Sequence, residues 1–304
     1  MVFFTVIMPT FNRINYLKQS ITSVRKQIFE DWNLHIIDNT SNDGTLEYLQ
    51  DLVKEDNRIK FSVVKNYGII AYSRNYGLEQ ANSKAVSFLD DDDIWHKNKL
   101  EDDYRILSNN EGLVYSRSYA FSDNKEIIRK LPSRKVSTNN EIFDLLHFGN
   151  IFTTSTVSYS LNNKTKKMRF NESSYIRTWE DYELWLKLII QTNLSCFYIK
   201  KFNSRYRISE LQNSSYKQDI ENNKNISNFL KKYFDIYKIK RINDLPLWAH
   251  YSNMVSYFFL KSYRKSFFSL ISSLKISILT LNFVFFIKSL LKFGKVYINY
   301  FAKK

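Results

Sequence analysis

Along the first ninety residues, apolar runs alternate with amphipathic stretches and polar breaks. Residues 3–8 form a β-branched and aromatic run that reads as a buried strand. Residues 9–13 break it, and residues 16–27 then show helical spacing, with Leu17, Ile21, Val24 and Ile28 on one face. Residues 34–37 read as a second strand, 38–44 as a polar turn and 45–53 as a helix. A third strand at 59–64, a helix at 73–81 and a fourth strand at 85–89 repeat the motif. Strand alternating with helix predicts a mostly parallel sheet with helices on both faces. Farther on the pattern is less regular: a helix at 97–108, a strand-like stretch at 112–121, short helical spacing at 141–146 and a helix at 178–194. Residues 213–228 are polar and Asn-rich and read as a mobile loop or a solvated helix start. From about residue 230 the chain reads as amphipathic helices, with Phe, Leu and Ile faces separated by Lys and Arg, and no internal repeat is visible.

Sheets of this kind bind ligands beyond the carboxyl ends of their strands. The polar clusters lie there: residues 9–13 after the first strand, 38–43 after the second, 66–68 after the third and 90–93 after the fourth. Four clusters converging on one rim place a candidate site in this half of the chain.

Composition sharpens this in two ways. The formal net charge is +15, and residues 230–304 carry fourteen Lys and Arg against only Asp235 and Asp244. The excess cation therefore sits in the last quarter, while the rest is close to neutral. Cys196 is the only cysteine, so neither an internal disulfide nor a cysteine metal cluster forms, and a reducing cytoplasmic compartment fits. His35, His96, His147 and His250 show no metal-ligand spacing. The N-terminus has no basic n-region and reads as a first strand, not a signal peptide. The longest uncharged apolar stretch near the C-terminus, residues 276–287, is too short to span a bilayer, which needs roughly 20 residues.

Asp90, Asp91, Asp92 and Asp93 follow an apolar strand directly and precede Trp95. Carboxylates so crowded raise one another's pKa. A divalent cation removes the repulsion, because Mg²⁺ or Mn²⁺ takes one or two carboxylates together with substrate phosphate oxygens. Such an ion also neutralises a diphosphate leaving group.

Here the chain resembles a known family. Residues 6–13 (Val-Ile-Met-Pro-Thr-Phe-Asn-Arg), 36–45 (Ile-Ile-Asp-Asn-Thr-Ser-Asn-Asp-Gly-Thr), Asn66-Tyr67-Gly68 with 73–77 (Ser-Arg-Asn-Tyr-Gly), 88–95 and 179–185 (Trp-Glu-Asp-Tyr-Glu-Leu-Trp) are similar, in order, to the motifs of the inverting family 2 glycosyltransferases. The likeness covers roughly residues 3–210. It implies an α/β GT-A nucleotide-sugar-binding domain with a central, mostly parallel mixed sheet over residues 1–228, its nucleotide-sugar half at about 1–95 and its acceptor half at about 96–228. A basic amphipathic helical region follows at 229–304. The resemblance assigns nucleotide-sugar binding to Pro9, Thr10, Asn12, Arg13, Asp38, Asn66, Gly68, Arg74, Asp90 and Asp91. Within that set, Pro9 by itself reads as a strand terminator, Asp38 would contact the donor base, and Arg74 would sit near the diphosphate or hold the acidic rim. Asp90 and Asp92 take the acidic positions of the DXD metal motif, with Asp92 the first choice for direct ligand to Mn²⁺ or Mg²⁺. Asp181 would be the general base, and Glu180 would orient the site or accept from the acceptor sugar. Trp179 offers a face on which an acceptor sugar could stack.

Two departures from the pattern matter. Asn39 and Thr40 stand where many relatives carry Asp and Gly, so the base contact falls to Asp38 alone. Ser209 stands where some relatives carry a His, which leaves Arg207 as the cation of that segment able to meet the diphosphate. The expected activity is inverting transfer of a hexose or N-acetylhexosamine from a nucleotide sugar, UDP-linked, to a glycan acceptor such as a lipid-linked O-antigen, capsule or lipooligosaccharide unit. Lys261, Arg264, Lys265, Lys275, Lys288, Lys292 and Lys295 flank apolar runs as in interfacial helices. This places the protein at the cytoplasmic face of the plasma membrane, peripherally, with no nucleic acid as partner. The alternatives are a nucleotidyltransferase, which would show a Gly-rich phosphate loop near the N-terminus, and a non-catalytic membrane- or nucleic-acid-binding module, which would not need the acidic rim.

Overall fold

The computed structural model describes residues 1–131, 133–136, 141–176, 178–208, 216–280, 282, 286–287 and 289–294. The alternating half is built as β1 (Val2–Thr10), α1 (Ile14–Arg25), β2 (Trp32–Asp38), α2 (Thr45–Glu55), β3 (Ile59–Val63), α3 (Ile70–Glu79) and β4 (Ser83–Phe88). There follow β5 (Ile94–Trp95), α4 (Lys99–Leu107), β6 (Gly112–Ser122), β7 (Lys125–Lys130), α5 (Glu141–Phe148), β8 (Ser158–Ser160), α6 (Glu180–Thr192) and β9 (Ser195–Arg207). The last stretch holds α7 (Tyr216–Phe229), α8 (Lys231–Ile236), β10 (Arg241–Ile242), β11 (Leu245–Pro246), α9 (Leu247–Phe259) and α10 (Tyr263–Leu279).

The chain divides into two compact units. The first comprises Met1–Thr138, Asn150–Ser174 and Glu180–Glu210; the second comprises Asn139–Gly149, Tyr175–Trp179 and Leu211–Lys304.

The first unit is built on a nine-stranded sheet in the order β3-β2-β1-β4-β8-β6-β9-β5, with β7 paired to β6. Strands β3, β2, β1 and β4 run parallel, as the alternation of strand and helix requires. The mixed character enters at β8, which is antiparallel to both β4 and β6, and at β5, antiparallel to β9. Strand β1 is central and buried from Phe3 to Thr10, and so reads as a continuous apolar run. It extends through Pro9 instead of stopping there. The Thr10 carbonyl accepts from Asn39 on the β2 side and the Ile7 carbonyl from Leu89 on the β4 side, so position 9 also faces β4. The β4 ladder ends at the Ile7–Phe88 pair, and the N–H that Pro9 lacks is not needed. In α1, Leu17, Ile21 and Val24 are buried as their spacing predicts. Ile28 lies past the helix end and is exposed, its N–H given to the Lys97 carbonyl. Helix α3 lies so close to β1 and β2 that a Cβ on Gly77 would sit 2.6 Å from Ile7 and 3.0 Å from Ile37.

In the second unit, the stretch read as a loop or solvated helix start is helix α7 from Tyr216; residues 213–215 lie outside the described residues, as do Ser209, Lys288 and Lys295. Asn222 and Asn223 are buried, which a polar stretch does not suggest. Their amides donate to Thr178 Oγ1, and to Ser252 Oγ and Asn253 Oδ1, at 2.8–2.9 Å. Trp179 packs on Trp248, ring centroids 4.9 Å apart.

Candidate functional site

Strands β1, β2 and β4 end at the same edge of the parallel sheet, and their following loops build the site. The β1–α1 and β2–α2 loops are laced together. Asn12, held at φ +50°, accepts from the Asn42 N–H through Oδ1 at 2.8 Å and gives its own N–H to Ser41 Oγ at 2.9 Å. Asp38 is 1% exposed; its Oδ2 accepts from the Ser41 N–H at 3.0 Å, while its buried Oδ1 has no partner among the described residues. A buried carboxylate oxygen without a donor is costly, and this one suits an imide or amide N–H of a base. Asn66 and Gly68 build the next wall. Asn66 donates to Ser73 Oγ and accepts from the Gly68 N–H, both at 2.9 Å, which folds the loop back on α3.

The loop after β4 carries the four aspartates around a turn closed by Asp93 N–H to the Asp90 carbonyl at 3.1 Å. Thr10 Oγ1 donates to Asp91 Oδ2 at 2.7 Å. Arg13 reaches across with NH1 3.3 Å from Asp91 Oδ1 and 2.6 Å from Asp92 Oδ2. Asp90, its side chain 25% exposed, is the most accessible of the four and accepts from Arg74 at 2.8 Å. Burial raises three of the aspartates. Asp91 is pushed up to about 7 by burial and the charge of Asp92, against the pull of Arg13 and Thr10. Asp92 is raised by burial and by Asp90, and Asp93 well above its usual range by burial with Asp92 and Asp90.

The second acidic pair sits in the first turn of α6, where the helix dipole favours carboxylates. Arg74 joins it to the aspartate loop: NH2 donates to Asp90 Oδ1 and NH1 to Glu180 Oε1, both at 2.8 Å. Burial alone would lower Arg74, but the carboxylates of Asp90 and Glu180 outweigh it and hold the guanidinium above its ordinary value. Of the two places expected for Arg74, the geometry gives the rim. Beside it Asp181 is partly accessible, and its Oδ2 accepts from Thr154 Oγ1 at 2.7 Å and Asn150 Nδ2 at 3.1 Å. Burial and the neighbouring charge of Glu180 push Asp181 up to about 6.

Of the residues singled out from the sequence for the site, all but Trp179 lie in the first unit; Trp179 belongs to the second, where its ring packs on Trp248. Pro9 lies in the buried end of β1 and takes no part through a polar atom. Arg207 does not reach outward: it is 2% exposed, its Nε donates to the Asp92 carbonyl and NH2 to Gln19 at 2.8–2.9 Å, NH1 pairs with Asp123, and its backbone N–H goes to Asp93 Oδ1 at 2.9 Å. A cation near an acidic loop in sequence says nothing about depth, and depth is what makes Arg207 a support under the loop. Ser20, Asn150 and Thr154 carry no sequence signal. The Ser20 hydroxyl lies 2.8 and 2.7 Å from the carbonyls of Asp91 and Asp93, which it serves as donor.

Among the described residues no group of three or more His, Cys, Asp or Glu is arranged to hold a metal alone. Asp90 and Asp92 are a two-carboxylate set whose charges repel across the loop. Mg²⁺ and Mn²⁺ use one or two carboxylates completed by phosphate oxygens, so the donor set fits an ion that arrives with a phosphorylated ligand.

The profile of Glycosyl transferase family 2 matches residues 5–166. The chain is 31% identical over 214 residues to the Escherichia coli UDP-Glc:alpha-D-GlcNAc-diphosphoundecaprenol beta-1,3-glucosyltransferase, covering 70% of this chain and 80% of that one. It is 29% identical over 294 residues to the Campylobacter jejuni GalNAc(5)-diNAcBac-PP-undecaprenol beta-1,3-glucosyltransferase, covering 90% and 89%. In fold it matches Staphylococcus aureus TarS 1-349, solved in complex with UDP-GlcNAc, with a TM-score of 0.58 at 17% identity over 89% of this chain and 90% of that one.

Proposed function

The chain belongs to glycosyl transferase family 2, and from that premise we propose that it transfers a hexose from a UDP-sugar to a polyprenyl-diphosphate-linked glycan, with inversion at the anomeric carbon. The observation that carries this reading is the Arg74 bridge between Asp90 and Glu180. It joins the loop that would meet a sugar diphosphate to the residue next to a candidate base about ninety positions away. The two glucosyltransferase relatives, whose names give undecaprenyl-diphosphate acceptors, support the acceptor class and hexose transfer.

Asp38 Oδ1 would accept from the base of the donor, and Asn12 with the loops it ties would frame the nucleotide. Asp90 and Asp92 would hold Mn²⁺ or Mg²⁺, which supplies positive charge to the diphosphate as it leaves. Asp181 would take the proton of the acceptor hydroxyl while that oxygen bonds to the anomeric carbon and the bond to the diphosphate breaks on the opposite side. One displacement of this kind needs one base. A pKa near 6 suits that base, since the carboxylate is ionised at neutral pH and more basic than an ordinary one. Thr154 and Asn150 hold the carboxylate through one oxygen. A lipid-linked acceptor places the reaction at a membrane surface, in this reading the cytoplasmic one.

The test is a panel of nucleotide sugars, with and without Mn²⁺, scored by thermal stabilisation and then by transfer to a synthetic polyprenyl-diphosphate sugar. A stabilising ligand present at a hundred times its Kd contributes about 2.7 kcal/mol. Stabilisation by UDP and a UDP-hexose that requires Mn²⁺, followed by a β-linked product, is the expected outcome. Folded protein that no nucleotide stabilises would overturn the reading.

A further inference from the structure

Helix α10 is laid out inside-out. Its buried residues are Ser266, Ser269, Leu270, Ser273, Ile276 and Ser277, a stripe made mostly of serine. The stripe is satisfied within the second unit: Ser266 Oγ donates to the Met254 carbonyl at 2.8 Å and Ser273 Oγ to Ser289 Oγ at 3.3 Å. The opposite face carries Phe267, Phe268, Ile278 and Leu279, 50–64% exposed. At 3.6 residues per turn these four fall on one side together with Arg264 and Lys275, with Lys265 at the edge, and all three cations are exposed. The Arg264 guanidinium stands 5.8 Å from the Phe268 ring. A helix serving only its own core turns its apolar stripe inward and its small polar residues outward.

The exposed face does not end with α10. Residues 286, 287 and 289–294 are helical, and there Ile287, Leu290 and Leu291 are exposed beside Lys292. The rings of Phe267 and Phe293 lie 6.4 Å apart, so the two stretches form one surface. An apolar patch interleaved with cations, on a segment with fourteen Lys and Arg against two Asp, is complementary to a surface that is apolar beneath and anionic above. No helix among the described residues is long and apolar enough to cross a membrane.

We infer that this face of α10, continued by residues 286, 287 and 289–294, seats the protein on an anionic phospholipid bilayer, with Phe267 and Phe268 entering the acyl boundary and Arg264, Lys265 and Lys275 meeting the headgroup phosphates. The inference deepens the reading of a membrane-borne acceptor and rests on it for its purpose alone, since docking needs neither donor nor acceptor.

The experiment is co-sedimentation of the full chain with vesicles of phosphatidylcholine, with and without phosphatidylglycerol, containing no glycolipid. Binding is expected on the anionic vesicles and is expected to weaken with salt. The Phe267→Ser/Phe268→Ser double variant should lose about ten-fold or more in partitioning, with circular dichroism unchanged. Lys275→Gln, an exposed change that leaves the fold in place, should lose about five-fold on anionic vesicles and nothing on neutral ones. Equal binding to both vesicle types, undiminished binding by Lys275→Gln, or a wild-type chain that ignores vesicles but self-associates through the two phenylalanines would overturn it, the last making the face a contact between copies. Because the vesicles hold no acceptor, failure here would leave the proposed transfer intact, and failure of transfer would leave docking intact.

Discussion

Two of the places where the first unit buries charge are built to opposite rules. Beneath the sheet, Lys99 and Asp103 are both fully buried, Nζ to Oδ2 2.7 Å, with Ser87 and Ser158 in hydrogen-bonding contact with Lys99. Ser158 also donates to Asp103 at 2.5 Å. Burial lowers Lys99 and raises Asp103, and each group partly restores the other. One cation answers one anion there, though Asp103 Oδ1 has no hydrogen-bond partner among the described residues. On the rim, Asp90, Asp91, Asp92, Asp93, Glu180 and Asp181 share the guanidiniums of Arg13 and Arg74, while the Arg207 side chain is spent on a carbonyl, Gln19 and Asp123. Four of the six acids are raised. Buried charge that is matched marks structure, and buried charge of one sign in surplus marks a place built for a ligand.

The comparison breaks most visibly at Asp181. Asp181→Asn should lower kcat by about 10²–10⁴-fold, the range for loss of a general base, with UDP-dependent stabilisation retained. The same change should stabilise the free protein. In the folded chain Asp181 holds its proton up to about 6, against an ordinary 3.8. The native state then binds more protons than the unfolded one between about pH 4 and 6, so stability falls as the pH rises through that window. Above it the ionised carboxylate is a standing cost. Removing it should raise stability by about 1–2 kcal/mol at pH 8, water screening part of the cost at the partly accessible Asp181, and leave it unchanged at pH 4. Thermal melts at the two pH values, beside a kcat measurement, check both arms, and a variant less stable at pH 8 would sink the surplus-charge argument.

Lys99 should behave in the opposite way. Lys99→Met leaves Asp103 buried without its cation and should cost about 3–5 kcal/mol, while the folded fraction transfers sugar at the wild-type rate. Lys99→Met/Asp103→Leu should recover most of that loss, because Ser87 and Ser158 keep their 2.8 Å bond to each other. Urea titrations of single and double variants separate the cases. A double variant as unstable as the single one would mean that the pair is more than a neutralised structural contact.

The sequence makes one of these regions legible and hides the other for a physical reason. Of the strands that carry the rim, β1, β2 and β4 are largely buried on both faces and β3 is a half-exposed edge strand, so the first three appear as apolar runs, and the polar breaks after all four announce the rim. Lys99 stands in a helix that looks amphipathic and solvated, and only packing reveals that its ammonium is turned inward beneath the Trp95 ring, 4.3 Å away. Strand β9 escapes detection because its Lys201 and Asn203 are held by Asp102, a carboxylate a hundred residues earlier, and its pairing with β6 is bulged near Ser116 and Arg117. Asp181 and Glu180 stand out as acids opening a helix. Their coupling to Asp90 through Arg74 does not, because no local spacing records a contact across 106 positions.

The smallest test lies under the rim. Ser20 is fully buried and touches no carboxylate; its hydroxyl serves the carbonyls of Asp91 and Asp93 and, at 3.3 Å, that of Tyr16 in its own helix. Ser20→Ala should cost about 1 kcal/mol, the net worth of such a bond. If the loop is held in shape to present Asp90 and Asp92, the same change should also raise the Mn²⁺ concentration giving half-maximal UDP stabilisation by a few-fold, as loss of an outer support does, with kcat at saturating Mn²⁺ unchanged. A merely structural serine would lower the melting temperature equally at every Mn²⁺ concentration and leave the half-maximal point in place. That split between cation dependence and stability distinguishes a loop shaped for a ligand from one that is only packed.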